Sequence, residues 1–288
     1  MTNCKDKQKD CVSNSYDRYS VLMSLYYKEN PEHFRAAIDS MLNQTITPDE
    51  IVLVEDGWLS KELHAIIGEI KERYPGLITS VVNEKNIGLG LALQKGVKSA
   101  RNNIIARMDT DDIAVLNRCE KELEYLNKHQ NVSIVGGQIE EFINDRENIV
   151  GKRQVPCNDA DIKRYMKRRC PFNHMTVMFR KEDILNAGNY QELFWNEDYY
   201  LWLRLALINK KFGNLSETLV YVRTGKDMYS RRGGIRYFKS EKRIQDFMLE
   251  KGVISNNRYL INMIERFILQ IVMPNWLRGI VFRKFARN

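Results

Sequence analysis

Short apolar segments of strand length alternate with amphipathic helical segments over residues 19–115. Four strand segments take part in this alternation, which predicts a parallel β-sheet with helices on both of its faces. The apolar segments fall well short of the roughly 20 residues that a membrane-spanning helix requires. The sequence therefore predicts an α/β fold without a transmembrane helix.

The ends of these segments carry their own signals. Asn30 and Pro31 are typical of the N-cap and the first turn of a helix. In a sheet of this kind ligands bind at the carboxyl ends of the strands, so polar residues there are the first candidates for function. Strands are predicted at 20–26, 50–55, 77–82 and 103–108, with helices at 31–42, 61–73 and 89–100.

After residue 115 the pattern becomes a mixture of helices and strands. Residues 151–172 are basic and show little periodicity, which predicts a long loop or lid. Helices are predicted at 116–129, at 181–186 and, after Glu197-Asp198, from Tyr199 onward, and strands at 132–143 and 176–180.

We expect four parts along the chain. Residues 1–18 are polar and lack an apolar period, so they are predicted to form a mobile leader. Residues 19–115 and 116–232 form the two halves of one α/β domain, and residues 233–288 form a basic, amphipathic helical region.

Composition narrows the class of protein further. With 43% hydrophobic and 28% charged residues in 288, the chain is globular rather than disordered or collagen-like. The net charge of +8 favours an anionic partner such as a nucleotide, a membrane surface or a nucleic acid. The cysteines are scattered and the N-terminal residues are too polar for a secretory signal, which predicts free thiols and a cytoplasmic location.

The segment Asp109-Thr110-Asp111-Asp112 follows the fourth predicted strand. Carboxylates at i and i+2 of an extended chain project to the same side and can share one cation. Carboxylate oxygens suit Mg²⁺ or Mn²⁺, which commonly bridge phosphate oxygens. The segment thus indicates a site for a metal ion and a diphosphate, although a solvated acidic turn or a helix N-cap would look similar.

Five segments in this order resemble the inverting glycosyltransferases of family 2, which have a GT-A fold: an opening strand with its helix ending in LNQT, then EIVLVEDG, NIGLGLALQKGV, ARMDTDD and NEDYYLWLRL. The resemblance covers roughly residues 19–232 and extends to bacterial members that build capsule, exopolysaccharide or O-antigen. It implies that residues 19–115 bind a nucleotide sugar, usually a UDP-sugar, and that residues 116–232 receive the acceptor.

The resemblance also implies roles for individual residues. Tyr26 would stack on the base, although a purely structural aromatic is the alternative, and Glu55 stands where Asp is more common, which leaves the base open. Asp111 would be the principal ligand of Mn²⁺ or Mg²⁺, assisted by Asp109. The implied donor-binding residues are Ser24, Tyr26, Glu55, Asp56, Asn86, Gly88 and Asp109.

On the acceptor side, the resemblance places the general base in the pair Glu197-Asp198, and the motif match favours Asp198. His174 would border the acceptor pocket, unless it is a partly buried structural histidine. The stretch lacks the histidine that many relatives place there, so Arg223, Arg231 and Arg232 would neutralise the departing diphosphate, or would belong to a solvated basic loop.

The C-terminal segment from residue 258 interleaves apolar and basic residues. Such a segment suits a membrane interface and a lipid-linked acceptor, with packing on the domain or a dimer contact as alternatives. The expected partners are therefore a nucleotide-sugar donor and a glycan or lipid-linked acceptor, without nucleic acid, at a cytoplasmic or peripheral inner-membrane location.

Two other classes stay open from the residues alone. A sugar-phosphate nucleotidyltransferase would usually carry a glycine-rich basic loop after its first strand, and SVLMSLYYKEN has none. A noncatalytic basic nucleic-acid-binding protein is suggested only by net charge, and an acidic cluster without metal would repel phosphates.

Overall fold

The computed structural model describes residues 17–225 and 233–274. The strands in these ranges are β1 (Tyr19–Leu25), β2 (Glu50–Asp56), β3 (Ile78–Asn83), β4 (Ile104–Arg107), β5 (Ile113–Ala114), β6 (Val132–Ile143), β7 (Asp145–Arg153), β8 (Met178–Arg180) and β9 (Lys211–Arg223). The helices are α1 (Pro31–Leu42), α2 (Lys61–Arg73), α3 (Leu89–Ser99), α4 (Arg118–Lys128), α5 (Asp159–Met166), α6 (Lys181–Asn186), α7 (Glu197–Leu207), α8 (Ile235–Glu250) and α9 (Asn256–Phe267).

All of these strands belong to one mixed sheet in the order β3-β2-β1-β4-β8-β6-β9-β5, with β7 paired to β6. β3, β2, β1 and β4 are parallel, as the alternating pattern predicts. β8 then runs antiparallel to β4, and β9 runs parallel to β6. The expected α/β fold is confirmed, and the second half extends the same sheet.

The parallel strands end in register, which brings their terminal side chains to one edge. Leu25 lies opposite Glu55, and Asp56 lies opposite Asn83. The residues that follow β4 begin at the same edge, because β4 pairs in parallel with β1. The polar candidates of four strands therefore meet along this edge.

Two apolar cores cover the two faces of the sheet. One contains the inward faces of α1, α2 and α4, including Phe34, Ile67 and Leu123. The other contains α3, α5 and α7, including Leu93 and Trp202. Asn30 caps α1 as predicted, since its side chain accepts hydrogen bonds from the backbone N–H of Glu32 and His33.

The prediction of a loop or lid at residues 151–172 is wrong for half of that range. It contains the end of β7 and the helix α5, whose N-cap Asn158 accepts a hydrogen bond from the Asp161 backbone N–H at 3.0 Å. α5 has one turn-spaced pair of buried apolar residues, Ile162 and Met166, which is too little to produce visible periodicity. β7 is mostly exposed and polar.

Several predictions fall wholly or mainly outside the described residues. These include residues 1–16 of the predicted leader, Arg231 and Arg232, and the chain from residue 275 onward. Within residues 17–225 and 233–274, none of the helices is both long enough and apolar enough to span a bilayer. The cysteines in this part of the chain, Cys119, Cys157 and Cys170, are free thiols.

A buried ion pair supports the segment that leads into the acidic cluster. Arg118 at the start of α4 pairs with Glu122 one turn later, with 3.1 Å between Nε and Oε2. Its Nη2 donates to the backbone carbonyl of Arg107 at 2.7 Å, and its Nη1 donates to Met108 Sδ. Burial raises the pKa of Glu122 to about 7, with Arg118 opposing that shift.

Replacing Arg118 by Met should lower the free energy of unfolding by about 3–5 kcal/mol, because Glu122 would lose its partner inside the protein. The matched control is Arg35→Met, which removes the exposed ion pair between Arg35 and Glu69 and should cost about 0–1 kcal/mol. Urea unfolding followed by circular dichroism measures both. Equal losses in the two variants would contradict the proposed support of the acidic segment.

Candidate active site

The acidic segment after β4 forms a compact cluster. Ligand oxygens of Asp109, Asp111 and Asp112 all lie within 4.8 Å of one another. The backbone N–H of Arg223 on β9 donates to Asp112 Oδ1 at 2.8 Å, and Arg223 Nε donates to the Asp111 carbonyl at 3.2 Å. The end of β9 therefore holds the segment in place from the second half of the domain.

The cluster has more negative charge than its surroundings offset. Burial raises the pKa of Asp111 to about 7, and the charges of Asp109 and Glu29 add to that shift. Burial also raises the pKa of Asp112, with Asp111 as the next cause. Three hard oxygen donors in a place where carboxylates resist ionisation fit Mg²⁺ or Mn²⁺, whose charge would favour the ionised forms.

Glu29 is a further acidic residue that the sequence analysis did not single out. It follows β1, and its Oε2 accepts a hydrogen bond from Thr110 Oγ1 at 2.6 Å. Burial raises its pKa, while the bond from Thr110 opposes the shift. Its signal in the sequence was its place near the carboxyl end of a parallel strand, the rule that identified the other candidates.

Arg107, the last residue of β4, is a buried cation in contact with this cluster. Its side chain is only 2% exposed, and its Nη2 lies 2.5 Å from Asp109 Oδ1. Within the described part of the chain, its Nε and Nη1 have no hydrogen-bond partner. A buried guanidinium with two unpaired donors marks a place where an anionic or polar ligand would be stabilised.

The second acidic pair begins α7. The Asp198 carboxylate accepts a hydrogen bond from the Tyr199 backbone N–H at 2.6 Å and another from Cys170 Sγ at 3.5 Å. Burial raises the pKa of Asp198, and these two hydrogen bonds, followed by the charges of Arg153 and Arg107, oppose that shift.

Glu197 is buried beside Asp198. Its pKa is raised to about 8, first by burial and then by the Asp198 charge, with a further contribution from Asp109. Arg107 opposes the shift. Because Asp109 and Arg107 both act on Glu197, the two acidic groups share one electrostatic environment and do not lie on opposite surfaces.

Asp56 at the end of β2 organises the loop between β3 and α3. Its Oδ1 accepts hydrogen bonds from Asn83 Nδ2 at 2.9 Å and from the Ile87 backbone N–H at 3.0 Å, and its Oδ2 accepts from the Gly88 backbone N–H at 3.1 Å. The Asn86 side chain donates to the Asp56 carbonyl. Asp56 therefore fixes the loop that carries two other predicted donor-binding residues, Asn86 and Gly88.

Two glycines allow close contacts around this loop. Gly57 has φ of +91°, and a Cβ there would lie 2.7 Å from the Asn86 backbone nitrogen. A Cβ on Gly90, in the first turn of α3, would lie 3.0 Å from the Glu197 Cβ. The helix that follows the loop therefore packs directly against the acidic pair of α7.

The remaining predicted residues lie along the same edge of the sheet. Ser24 is half-buried near the end of β1, and Glu55 is buried at the end of β2 with His64 Nδ1 at 3.9 Å. Tyr26 is exposed beyond β1, edge-on to Tyr27 with ring centroids 6.0 Å apart.

His174 is hydrogen-bonded within the protein. Its Nε2 lies 2.9 Å from the hydroxyl oxygen of Tyr190. Burial lowers its pKa well below the ordinary value, and the Arg107 charge lowers it further, so the ring is neutral at neutral pH. The imidazole thus lies near Arg107, on the side of the site that contains α7.

Sequence reasoning missed four contributors: Glu29, Arg107, Arg153 and Cys170. Arg153 donates from Nη1 to Asn173 Oδ1 at 2.8 Å and from Nη2 to the Cys170 carbonyl at 2.7 Å, so it positions the segment that reaches Asp198. Arg107 had a visible signal, since a charged residue ends an otherwise apolar strand. Arg153 and Cys170 had none, because they lie in the segment interpreted as a loop.

A mixed sheet of this order, with acidic clusters at the end of β4 and at the start of α7, defines the GT-A class of transferases. The family model described as Glycosyl transferase family 2 matches residues 20–188. The chain belongs to this family and is a glycosyltransferase.

Similar curated proteins cover nearly the whole chain. An uncharacterized glycosyltransferase of Haemophilus influenzae is 41% identical over 94% of this chain and all of its own length. The amylovoran biosynthesis glycosyltransferase AmsE of Erwinia amylovora is 39% identical, over 84% of this chain and 91% of its own. An Escherichia coli UDP-Gal:alpha-D-GlcNAc-diphosphoundecaprenol beta-1,3-galactosyltransferase is 34% identical, over 96% and 99%.

Solved structures confirm the fold. TarS of S. aureus, residues 1–349 in complex with UDP-GlcNAc, has a TM-score of 0.65 at 16% identity, covering 87% of this chain and 72% of its own. The mannosyltransferase PcManGT from Pyrobaculum calidifontis, in complex with GDP-Man and Mn²⁺, has a TM-score of 0.63 at 15% identity, covering 92% and 73%.

Substituting Gly57 by Ala should destabilise the protein more than substituting Gly76 by Ala. Both positions have positive φ, so each variant loses about 1–3 kcal/mol to backbone strain. Only the Cβ at residue 57 also meets the backbone at Asn86, which should add about 1–3 kcal/mol of overpacking. Thermal or urea unfolding compares the two. Equal stabilities of the two variants would contradict the prediction, because they would show that the loop between β3 and α3 moves away from the added Cβ at little energetic cost.

Proposed function

We propose that this protein is an inverting glycosyltransferase that moves a sugar from a nucleoside diphosphate, most simply uridine diphosphate, to a hydroxyl group of a glycan or lipid-linked acceptor. The observation that carries the proposal is the arrangement of two acidic groups around the buried guanidinium of Arg107. In the proposed division, residues 19–115 bind the donor and residues 116–232 receive the acceptor.

The names of the relatives support the class of donor and acceptor. The Escherichia coli relative is named for UDP-Gal and for a diphosphoundecaprenol-linked acceptor, and the Erwinia relative for amylovoran biosynthesis. By this similarity the reaction belongs to the assembly of a bacterial surface polysaccharide on a lipid carrier. A lipid-linked acceptor would place the enzyme at the inner face of the cell membrane, as a peripheral protein.

Asp109, Asp111 and Asp112 are the residues that would hold Mn²⁺ or Mg²⁺. When bound, the ion supplies positive charge that offsets the charge developing on the diphosphate leaving group. Arg107 would add a second positive charge through its two unpaired N–H donors. The complex of the structurally similar PcManGT with GDP-Man and Mn²⁺ supports this choice of ion.

Asp198 is the proposed general base. It would accept the proton of the acceptor hydroxyl as the oxygen attacks the anomeric carbon from the face opposite the diphosphate, which inverts the configuration. The hydrogen bonds from Tyr199 and Cys170 stabilise its ionised form against burial, whereas the pKa of Glu197 is raised to about 8. These hydrogen bonds to the carboxylate support Asp198 as the base.

The nucleotide specificity and the need for metal can be tested together. A panel of nucleotide sugars with Mn²⁺ should show binding and slow hydrolysis of one donor, and a chelator should abolish both, because the carboxylates alone repel the diphosphate. Asp111→Ala should lower activity on the order of a hundredfold or more, whereas Asp39→Ala, on α1 and outside both acidic groups, should leave it unchanged. Full metal-dependent activity of Asp111→Ala would contradict the assignment.

Replacing Asp198 by Asn should lower kcat by about 10²–10⁴-fold with little change in donor affinity, because a general base is lost while the nucleotide contacts remain. Isothermal titration with the donor nucleotide and Mn²⁺ measures the affinity separately from turnover. Glu197→Gln is the companion variant, and a larger loss there than in Asp198→Asn would transfer the role of base to Glu197.

Removing the thiol of Cys170 should change the pH dependence of turnover. The S–H hydrogen bond stabilises the ionised form of Asp198, so Cys170→Ala should raise the Asp198 pKa. Because the base must be ionised, the acidic limb of the profile of kcat against pH should move to higher pH, with the plateau at high pH preserved. Cys170→Ser should restore the original limb. An unchanged limb in Cys170→Ala would separate this bond from catalysis.

A further inference from the structure

The helix α9 packs with its polar side inward. Asn262, Arg266 and Gln270 lie at intervals of four residues and are all buried, although they are polar. A π-helical turn at Ile268–Val272 continues the helix. The opposite side presents large apolar residues that are exposed, which we name the α9 stripe: Leu260, Ile261, Ile264, Phe267, Ile268, Ile271 and Val272.

The buried polar residues lock this orientation. Asn262 Nδ2 donates to Gln245 Oε1 at 2.8 Å and to the Lys167 carbonyl at 2.9 Å. Arg266 Nε donates to Glu241 Oε2 at 2.6 Å, and its Nη2 donates to the Arg168 carbonyl at 2.8 Å. A rotation that buried the α9 stripe would break an ion pair inside the protein, which is strongly unfavourable.

The α9 stripe carries no charge of its own. Glu265 lies at its margin, 3.7 Å from Arg168. Phe267 at the middle of the stripe contacts Phe238 of α8, with ring centroids 5.9 Å apart, and the neighbouring Ile235 is also exposed. A stripe of large exposed apolar residues that polar bonds on the other side of the helix hold outward is typical of a contact surface rather than of an ordinary solvent-facing helix.

Cations flank the stripe at its beginning. A shallow depression of about 420 Å³ lies where α8 turns into α9, lined by Lys167 and Arg258 together with Ser255 and the turn residues 252–254. Arg258 precedes Leu260, the first residue of the stripe, by two positions in α9. Two basic side chains next to an apolar surface fit the phosphate of an anionic lipid headgroup.

The chain beyond the stripe has the same character in its sequence. Residues 275–288 contain Arg278, Arg283, Lys284 and Arg287, no acidic residue, and several large apolar residues. This excess of positive charge favours an anionic bilayer over a neutral protein surface.

We infer that the α9 stripe, with the cationic depression of Lys167 and Arg258, docks the enzyme on the surface of an anionic lipid bilayer. The helix lies in the interface plane, its apolar side among the headgroups and upper acyl chains. Lys167 and Arg258 bind lipid phosphate. This inference rests on the proposed function, because docking brings the enzyme to the surface at which a lipid-linked acceptor is presented.

Hydrogen bonds connect the helices of the docking surface to two segments that lie next to Asp198, the proposed base. Ser240 on α8 accepts a hydrogen bond from Asn196, the residue before Glu197, at 3.0 Å. Lys167 and Arg168, whose carbonyls bind α9, lie close in sequence to Cys170, which donates to Asp198. Docking through α9 therefore holds the acceptor side of the site at a fixed position relative to the bilayer.

The test is flotation of the full chain with vesicles of phosphatidylcholine, with or without phosphatidylglycerol. The wild-type protein should bind the anionic vesicles, and added salt should weaken binding. The double variant Leu260→Glu with Ile264→Glu should bind at least tenfold more weakly, because it places charge where apolar area is buried. The control is Leu116→Glu, at a residue that is 61% exposed beside 59% for Leu260, and it should bind normally.

A second variant, Lys167→Glu with Arg258→Glu, should lose the preference for anionic vesicles and does not alter the stripe. Wild-type protein that stays in solution with both vesicles, or a stripe variant that floats like the wild type, would overturn the inference. A wild-type dimer in sedimentation velocity that the stripe variant converts to a monomer, without effect on flotation, would assign the stripe to a second copy. Flotation does not depend on turnover, so failure of the proposed function would appear separately, as absent donor hydrolysis in the wild type.

Discussion

The structure depends on one buried guanidinium among several carboxylates. Arg107 pairs with Asp109 and acts on the charges of both Glu197 and Asp198, so it is the positive centre between the two acidic groups. Burial raises the pKa values of Glu197 and Asp198, and the Arg107 charge opposes that effect in both. Neighbouring elements keep this arrangement in place. Arg118 of α4 donates a hydrogen bond to the backbone carbonyl of Arg107 at the end of β4, and Arg223 of β9 donates one to Asp112.

The site joins the two halves of the domain by direct contacts. Asp56 fixes the loop after β3, Gly57 lets that loop approach β2, and Gly90 lets the following helix touch Glu197. From the other side, Arg153 and Cys170 hold Asp198. These contacts hold both the loop after β3 and the surroundings of Glu197 and Asp198. A shift of either half of the domain would therefore change the loop and the acidic pair together. A single mixed sheet, rather than two separate lobes, would suit the proposed reaction, in which the leaving group and the base lie on opposite faces of one carbon.

The sequence predicted the first half closely and the second half unevenly. The strands β1 to β4 and the helices α1 to α3 were visible because each buries a periodic apolar face, and α2 was placed at Lys61–Arg73 as observed. The loop prediction at 151–172 failed because β7 and α5 bury too few apolar residues to show a period. The acidic clusters were visible in the sequence from their order along the chain. Arg107 and Glu29 had a signal in their positions near strand ends, but the sequence did not show which charges they face, because only the folded sheet brings those charges together. The inward polar side of α9 was equally invisible, because an amphipathic pattern does not say which side faces the protein.

The loop held by Asp56 has a consequence for donor recognition. Its hydrogen bonds to Asn83, Ile87 and Gly88 form within the protein itself and need no nucleotide. The conformational entropy of this loop is therefore lost when the chain folds. In the proposed function this loop meets the nucleotide, and the binding of a donor would not have to order the loop again. A loop that the fold has already ordered would strengthen donor binding, because no further ordering has to be offset by the contacts with the nucleotide.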